Sequence, residues 1–181
     1  MGLRPARTCR SIDRPAFTRF SKKKPRESYV KSMPHNALNI TSMGNQKGYY
    51  THRVDLIAEE YVQIRDNALE SARMAANKPL ENKIPGDYYL FVRVMPHHVI
   101  RQVKVVLGAG ADRIQKGMKH AWGRPSDRAA RVRPGSIIYT GRVRKENLPL
   151  MKESFRLAAN KLPGKYSIRV TEEIVGTKPE E

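Results

Sequence analysis

Two stretches of the chain resemble each other letter by letter: ESARMAANK at residues 70–78 and ESFRLAANK at residues 153–161. Each is followed by a Pro-Gly pair, first Pro85-Gly86 and later Pro163-Gly164, and such pairs are typical of turns. Beyond each turn comes a run rich in β-branched and aromatic residues that begins with tyrosine. The sequence therefore predicts a helix–turn–strand unit that is used twice.

The first helix is predicted between residues 56 and 77, and its strand over residues 88–95. Lys78-Pro79 is expected to end the helix, because proline lacks the N–H that an interior helical position donates. The apolar residues recur at the spacing of one helix face. They are Ile57, Tyr61, Ile64, Ala68, Ala72 and Ala75.

The second helix is predicted to begin near Asn147 and Pro149, since proline is favoured in the first turn of a helix. Its strand is expected over residues 166–170. The apolar face of this helix consists of Met151, Phe155, Ala158, Ala159 and Leu162.

Two amphipathic helices need a surface to cover, and a shared sheet provides one. We therefore expect an α+β fold in which the two units pack on a mainly antiparallel sheet. Residues 103–107 and 136–140 are predicted to add strands. This body is expected to form a single domain over residues 32–175, between a basic arm at residues 1–31 and a short tail at residues 176–181.

The overall charge indicates a polyanionic partner. The 181 residues include 35 lysines and arginines against 17 aspartates and glutamates, which gives a formal net charge of +18. Nucleic acid, an anionic membrane surface and acidic proteins are the candidates. The sequence has no apolar run typical of a membrane span or a secretory signal, so we expect a cytosolic protein without a membrane partner. The only cysteine, Cys9, can form neither an internal disulfide nor a cysteine-based zinc cluster.

The segment before residue 32 is strongly basic, and Pro5, Pro15 and Pro25 interrupt any long helix. We expect an extended arm that becomes ordered on RNA, with a disordered, solvated tail as the alternative. Its candidate RNA-binding residues, together with two from the body, are Arg4, Arg7, Arg10, Arg14, Arg19, Lys22, Lys23, Lys24, Arg26, Arg93 and Arg101.

A second basic segment, at residues 108–131, is predicted to be a long loop between two strands. Compact domains seldom contain so long a connection without a use, and glycines allow a close approach to nucleic acid. Arginine forks and lysine charges suit phosphate groups, although a solvated charged surface is the simpler alternative. The candidate loop residues are Gly108, Gly110, Arg113, Lys116, Gly117, Lys119, Trp122, Arg124, Arg128 and Arg131.

Four aromatic residues, Phe17, Phe20, Tyr29 and Trp122, stand among these basic residues. Their rings could stack on unpaired bases. Rings in such positions more often anchor an arm to its own domain, and the sequence leaves both roles open.

Residues for catalysis or metal binding are not grouped in the sequence. His97-His98 is the only histidine pair, and adjacent strand positions point to opposite faces. Gly108-Ala109-Gly110 begins like a dinucleotide-binding motif, but Arg113 stands where the third glycine belongs. No serine, cysteine or carboxylate has the neighbouring base and orienting group that a nucleophile needs. We therefore expect no enzyme activity, no metal site and no cofactor.

Several longer motifs are spread over nearly the whole chain. They are Met1-Gly2-Leu3-Arg4-Pro5-Ala6-Arg7, Phe91-Val92-Arg93-Val94-Met95-Pro96, Gly108-Ala109-Gly110-Ala111-Asp112-Arg113, Gly117-Met118, Arg133-Pro134-Gly135-Ser136-Ile137-Ile138-Tyr139 and Phe155-Arg156-Leu157-Ala158-Ala159-Asn160-Lys161-Leu162-Pro163. Together they resemble the family of large-subunit ribosomal protein ten-e, whose bacterial counterpart is large-subunit protein sixteen.

The resemblance implies a hammerhead-type α+β fold near the base of the central protuberance, bound to large-subunit rRNA beside the aminoacyl-tRNA path. It also implies neighbouring large-subunit proteins as partners and a transient contact with tRNA. In the family the long basic loop points toward the tRNA acceptor ends and the peptidyl-transferase region, which here would be residues 108–131. Such a protein is a structural constituent of the large subunit that supports translation and subunit assembly.

One position departs from the bacterial members, which carry a modifiable basic residue just before the Met-Gly that aligns with Leu107-Gly108. This chain has Val106 there, so the modification is not expected. The longer loop, the Ala-Gly-Ala-Asp-Arg motif at residues 109–113 and the acidic end Lys178-Pro179-Glu180-Glu181 are similar to an archaeal member.

Two other functions are compatible with the residues alone. A free RNA-binding or RNA-chaperone protein would share the charge and the arm, but it would not sediment with large subunits in high salt. An RNA-modifying enzyme would need a metal or a cofactor, which metal analysis and an RNA-modification assay would detect.

Overall fold

The structure is a computed structural model that describes residues 4–12, 30, 32–103, 105, 108–119 and 123–176. Within these residues the strands are β1 (Ser42–Gly44), β2 (Tyr50–Ala58), β3 (Val62–Arg65), β4 (Tyr88–Val92), β5 (His98–Gln102), β6 (Arg124–Val132), β7 (Ile137–Val143) and β8 (Tyr166–Val175). The α-helices are α1 (Asp66–Lys83), α2 (Ala111–Ile114) and α3 (Leu148–Ala159), and the 3-10 helices are Ala6–Cys9 and Lys145–Asn147.

The strands form two antiparallel sheets. The large sheet has the order β1-β4-β7-β2-β8, and the small sheet has the order β3-β6-β5. Helices and strands alternate only in part along the chain, and no parallel strand pair occurs in these two sheets. The predicted α+β class with mainly antiparallel pairing is therefore confirmed.

The two helix–turn–strand units interlock in the large sheet. β4, which follows α1, pairs with β7, whereas β8, which follows α3, pairs with β2, and β2 and β7 pair with each other. Both helices pack on one face of this sheet. The Tyr139 hydroxyl on β7 donates to the Leu69 carbonyl of α1 over 2.7 Å. Gly141 leaves room on the same face for Met151 and Phe155 of α3, because a Cβ at that position would lie 2.6 Å from the Met151 sulfur.

One hydrophobic core lies between the helices and both sheets. It includes Leu69 of α1, Phe155 of α3, Leu56 of β2 and Ile64 of β3, each fully buried. Burial of each such side chain stabilises the fold by about 1.5–3 kcal/mol. Val132 of β6 belongs to the same cluster, so the small sheet is fixed to the large one through the core.

The first helix begins ten residues later than predicted. Leu56 and Ile57 belong to β2, Ile64 belongs to β3, and Tyr61 in the turn between these strands is 68% exposed. Residues 54–58 are all buried, and such a continuous buried run cannot be distinguished from a helix by periodicity.

The helix also ends later than predicted, since it continues through Pro79 as far as Lys83. A proline inside a helix costs about 3 kcal/mol relative to alanine. Leu80, one residue further on, is fully buried in the core, and this burial offsets much of that cost. The predicted turn at Pro85-Gly86 is confirmed, with Gly86 at a φ of 80°.

The strand predicted at residues 103–107 is wrong where the structure describes it. β5 ends at Gln102, and Val103 and Val105 lie outside it, while residues 104, 106 and 107 lie outside the described residues. Val99 and Ile100 are the buried apolar residues that fix the strand, whereas Val103 and Val105 are only half-buried. The strands predicted at residues 88–95, 136–140 and 166–170 correspond to β4, β7 and β8.

Candidate nucleic-acid interface

The N-terminal segment at residues 4–12 is attached to the small sheet. Cys9, which ends the first 3-10 helix, is buried in a cluster with Ile100 of β5 and Ala129 of β6. On the other edge strand, the Gln63 side-chain amide donates to the Cys9 carbonyl oxygen over 2.8 Å, and the Gln63 backbone N–H donates to the Arg10 carbonyl oxygen over 2.9 Å. The segment therefore crosses the sheet from β5 to β3.

Residues 4–12 of the predicted arm therefore pack against the body, and the expectation that the arm becomes ordered on RNA stays a prediction. Arg4 is half-buried, and its Nη2 donates to the Arg101 carbonyl oxygen over 3.1 Å. Arg7 and Arg10 are exposed on the outer side of the segment. The remaining arm residues of the candidate set lie outside the described residues: Arg14, Arg19, Lys22, Lys23, Lys24 and Arg26.

The part of the predicted loop from residue 124 onward is strand β6, so Arg124, Arg128 and Arg131 are not loop residues. β6 is the central strand of the small sheet, and Ala130 and Val132 point from it into the core. The buried side chains at residues 129, 130 and 132 stabilise this strand. The basic and small residues of this stretch interrupt the apolar pattern, so the sequence did not predict a strand here.

Two of the β6 arginines have structural contacts. The Arg128 Nε donates to the Pro34 carbonyl oxygen over 2.6 Å, and the Arg131 Nε donates to the Gln63 side-chain oxygen over 3.2 Å. Both arginines are half-buried. They therefore hold neighbouring segments in place, in contrast to the exposed Arg124.

Five arginines lie on the small sheet or on the segment that crosses it, and they define what we call the small-sheet patch: Arg4, Arg7, Arg10, Arg101 and Arg124. Arg101 lies on β5 next to the start of β6, where its Nη1 donates to the Gly123 carbonyl oxygen over 3.1 Å and its neighbour Gln102 pairs with Arg124. The N-terminal segment adds Arg7 and Arg10. The patch thus combines arginines of the N-terminal segment with arginines from the middle of the chain, and arginine suits the geometry of phosphate groups.

Electrostatics beneath the segment keep one histidine neutral. Burial, followed by the positive charge of Arg131, lowers the pKa of His98 to about 4. Burial also lowers the pKa of Arg131. A neutral His98 avoids a second positive charge beside Arg131. His97, the other member of the pair, is exposed and precedes β5.

The part of the predicted loop before residue 120 projects from the body with little burial. It contains the short helix α2, with Gly110 at a φ of 78° before it and Gly117 at a φ of 60° after it. Every basic side chain of the described part is exposed, namely Arg113, Lys116 and Lys119. Ile114 and Met118 are also 72% and 68% exposed. Gly108 is exposed, and Trp122 lies outside the described residues.

Arg93 is separate from the small-sheet patch. It follows β4 in the large sheet, is exposed, and its guanidinium lies 5.8 Å from the centroid of the Phe91 ring. The structure therefore divides the candidate residues among three places: the small sheet, the projecting loop and the large sheet.

The sequence analysis missed Gln63 and assigned no structural role to Cys9. Gln63 joins the N-terminal segment to β6, because its amide nitrogen donates to Cys9 and its amide oxygen accepts from Arg131. A glutamine in an apolar strand is a buried polar residue that needs partners, and this was the available signal. Its partners are distant in sequence and could not be named from it.

Two further findings concern the described parts of the chain. Within them, no three histidine, cysteine or carboxylate side chains come together as a possible metal site. None of the helices found there is both long and apolar enough to cross a membrane.

Comparison with known proteins identifies the family. The model of the family described as "Ribosomal protein L16p/L10e" matches residues 15–169. A protein of Staphylothermus marinus named "Large ribosomal subunit protein uL16" is 46% identical over 165 residues, which cover 90% of each chain. The chain belongs to the ribosomal protein L16p/L10e family. Proteins of the same name from Archaeoglobus fulgidus and Hyperthermus butylicus are 41% identical over 164 residues and 45% identical over 146 residues, covering 90% and 80% of this chain and 90% and 81% of theirs.

Family membership confirms two interpretations of the sequence. The chain is a member of a family of ribosomal proteins, which are structural proteins and not enzymes. The named relatives are archaeal, in agreement with the predicted archaeal resemblance.

Proposed function

We propose that this chain is a structural constituent of the large subunit of cytoplasmic ribosomes and binds large-subunit rRNA through the small-sheet patch. The observation that carries the proposal is the attachment of residues 4–12, which places exposed Arg7 and Arg10 on the same small sheet that carries Arg101 and Arg124. A preformed group of arginines binds RNA with a smaller loss of conformational entropy than a disordered arm would. Family membership supports rRNA as the polyanion and neighbouring large-subunit proteins as further partners.

The projecting loop has a different proposed role. Its exposed basic side chains and its glycines at positive φ suit a flexible contact, and the family resemblance implies a position near tRNA and the peptidyl-transferase region. We assign tRNA handling and the last steps of subunit assembly to the loop, and anchoring to the body and arm. The hammerhead architecture and the location near the base of the central protuberance belong to the same proposal.

Chemical probing of naked large-subunit rRNA tests the rRNA assignment. With wild-type protein we expect protection of one defined region of the rRNA, and with Arg124→Gln we expect weaker protection of the same region. Lys152→Gln, an equal loss of charge on the exposed side of α3, is the control. Weak protection distributed over the whole rRNA would favour a general RNA chaperone over a subunit constituent.

A further inference from the structure

The outer face of the large sheet, opposite α1 and α3, carries a second group of arginines. Tyr139 and Gly141 face the helices, so Thr140 and Arg142, which alternate with them along β7, face away. In the strand register, Arg142 lies between Tyr89 of β4 and Arg53 of β2. The next row contains Phe91, Thr140, Asp55 and, on β8, Arg169, all on this outer face.

Two of the arginines on this face lie against aromatic rings. The Tyr89 and Phe91 rings are stacked, with centroids 6.4 Å apart and planes inclined by 14°. The Arg142 guanidinium lies 6.0 Å from the Tyr89 centroid, and the Arg93 guanidinium lies 5.8 Å from the Phe91 centroid. Arg93, Phe91, Tyr89 and Arg142 contact one another in this order and form what we call the ladder, with an arginine at each end. An arginine stacked on a ring has lost part of its rotamer freedom before it meets a ligand.

The two carboxylates on this face are already engaged by arginine. Asp55 is buried and accepts hydrogen bonds from the Arg53 Nε at 3.0 Å and the Thr140 hydroxyl at 2.7 Å. Glu173 accepts from Arg53 at 3.4 Å and from the Arg142 Nη2 at 3.1 Å.

The outer face therefore keeps positive charge that these carboxylates do not neutralise. Arg93 and Arg169 are exposed and have no ion pair with any residue that the structure describes. The Nε of Arg142 is buried and has no hydrogen-bond partner in the described structure.

We propose that this outer face is a second RNA-binding surface, in which Arg93 contacts a phosphate and Phe91 packs against an unpaired base. The proposal rests on the function proposed above, because it takes rRNA as the partner. Charge favours RNA over a protein surface, because the residues described above for this face include four arginines, Arg53, Arg93, Arg142 and Arg169, against the two carboxylates Asp55 and Glu173. Rings among arginines are the usual means by which proteins bind unpaired RNA.

The test measures the affinity of the full chain for large-subunit rRNA transcribed in vitro, as a function of salt. For Arg93→Gln we expect affinity to fall by about tenfold, as for loss of a charged hydrogen bond, and the slope of log affinity against log salt to fall by about 0.7–0.9. For Phe91→Leu, which keeps the charge and most of the apolar volume, we expect about a fivefold loss with an unchanged slope.

Lys152→Gln is the matched control. Lys152 is exposed on α3, which packs on the opposite face of the large sheet, so its loss should change neither affinity nor slope appreciably. Thermal unfolding of all variants should remain at the wild-type temperature, since Arg93 and Phe91 are not fully buried.

Three results would contradict the proposal in different ways. Wild-type affinity of both Arg93→Gln and Phe91→Leu for rRNA would show that this face does not bind RNA, while the small-sheet patch could still do so. Normal rRNA affinity combined with failure to join large subunits would show that the face binds a neighbouring protein instead. If the wild-type chain itself did not bind the rRNA, the proposed function would fail together with this inference.

Discussion

The side-chain amide of Gln63 donates to the carbonyl oxygen of Cys9 over 2.8 Å, and this contact joins two parts of the chain that are far apart in sequence. Gln63 is buried on β3, and the same amide accepts a hydrogen bond from Arg131 on the central strand β6. The position of Arg7 and Arg10 on the small sheet therefore depends on a residue that contacts no phosphate in the proposed complex.

Replacement of Gln63 by methionine should lower the free energy of unfolding by about 2 kcal/mol. Methionine keeps the volume but removes the hydrogen bonds to the Cys9 carbonyl and from the Arg131 Nε, and a buried carbonyl left without this partner costs about 1–3 kcal/mol. Denaturant unfolding measures the change. The backbone N–H of Gln63, which donates to Arg10, should also exchange faster with solvent. Gln102→Met, at the half-buried end of β5, should change stability by less than about 0.5 kcal/mol, and equal effects of the two variants would contradict the account.

The double variant Arg7→Gln/Arg10→Gln should bind rRNA with a weaker salt dependence. Each phosphate contact contributes about 0.7–0.9 to the slope of log affinity against log salt, so the loss of two contacts should reduce the slope by about 1.4–1.8. Fluorescence anisotropy at several salt concentrations measures this slope. Lys152→Gln/Arg156→Gln removes the same charge from the exposed side of α3 and should leave the slope unchanged. An unchanged slope in the Arg7/Arg10 variant would show that these residues do not contact phosphate.

Stability should depend on the protonation of His98. Its pKa in the folded protein is about 4, because of burial and the nearby charge of Arg131, against an ordinary value of 6.5. Since the folded state resists protonation, the histidine's contribution is fully present above pH 6.5 and is lost as the pH falls to about 4. This loss amounts to about 3 kcal/mol in the free energy of unfolding.

The comparison of two histidine variants isolates this contribution from that of the carboxylates. His98→Gln should show a flatter decline of stability between pH 6.5 and 4 than the wild type. His97→Gln, at the exposed neighbouring position, should retain the wild-type decline. Identical pH profiles of stability for both variants would mean that the pKa of His98 is not lowered in the folded protein.

Deletion of residues 109–119, with a short glycine linker in their place, should separate anchoring from tRNA handling. These residues make few buried contacts, so the body should stay folded and the protein should still enter large subunits. Aminoacyl-tRNA binding or peptide-bond formation by those subunits should be impaired. The deletion stops before Arg124 because β6 begins there. A folded variant that no longer enters subunits would identify the loop as an rRNA anchor.

The sequence predicted the architecture better than the boundaries of its elements. The repeat at residues 70–78 and 153–161 correctly indicated two helix–turn–strand units on an antiparallel sheet. When the two helices are aligned by their buried residues, however, the alignment is shifted by one residue from the alignment of the similar sequence letters. Leu69 and Ala76 correspond in burial to Met151 and Ala158. Arg73, whose exposed fraction is only 8%, corresponds to Phe155 and not to the exposed Arg156. Pairing of each helix with the sheet, which is a tertiary property, decides this register.

The candidate site was only partly predictable for a related reason. Arg7, Arg10 and Arg113, which charge and glycine content selected as candidate RNA contacts, are exposed, and their contact with RNA stays a prediction. The same criteria assigned Arg128 and Arg131 to a loop, although both lie on β6 and bond to distant segments. Contacts between residues that are far apart in sequence leave no periodic signal. Arg142 was not among the predicted residues for the same reason, because only the strand register places it beside Tyr89.

The central claim is that this chain is a stable constituent of the large ribosomal subunit. The most direct measurement is quantitative mass spectrometry of large subunits that have been centrifuged through a sucrose gradient in high salt. We expect one copy of the chain per subunit, retained through the salt wash, with little in the fractions near the top of the gradient. Recovery of the chain mainly in those upper fractions, at a small fraction of one copy per subunit, would contradict it.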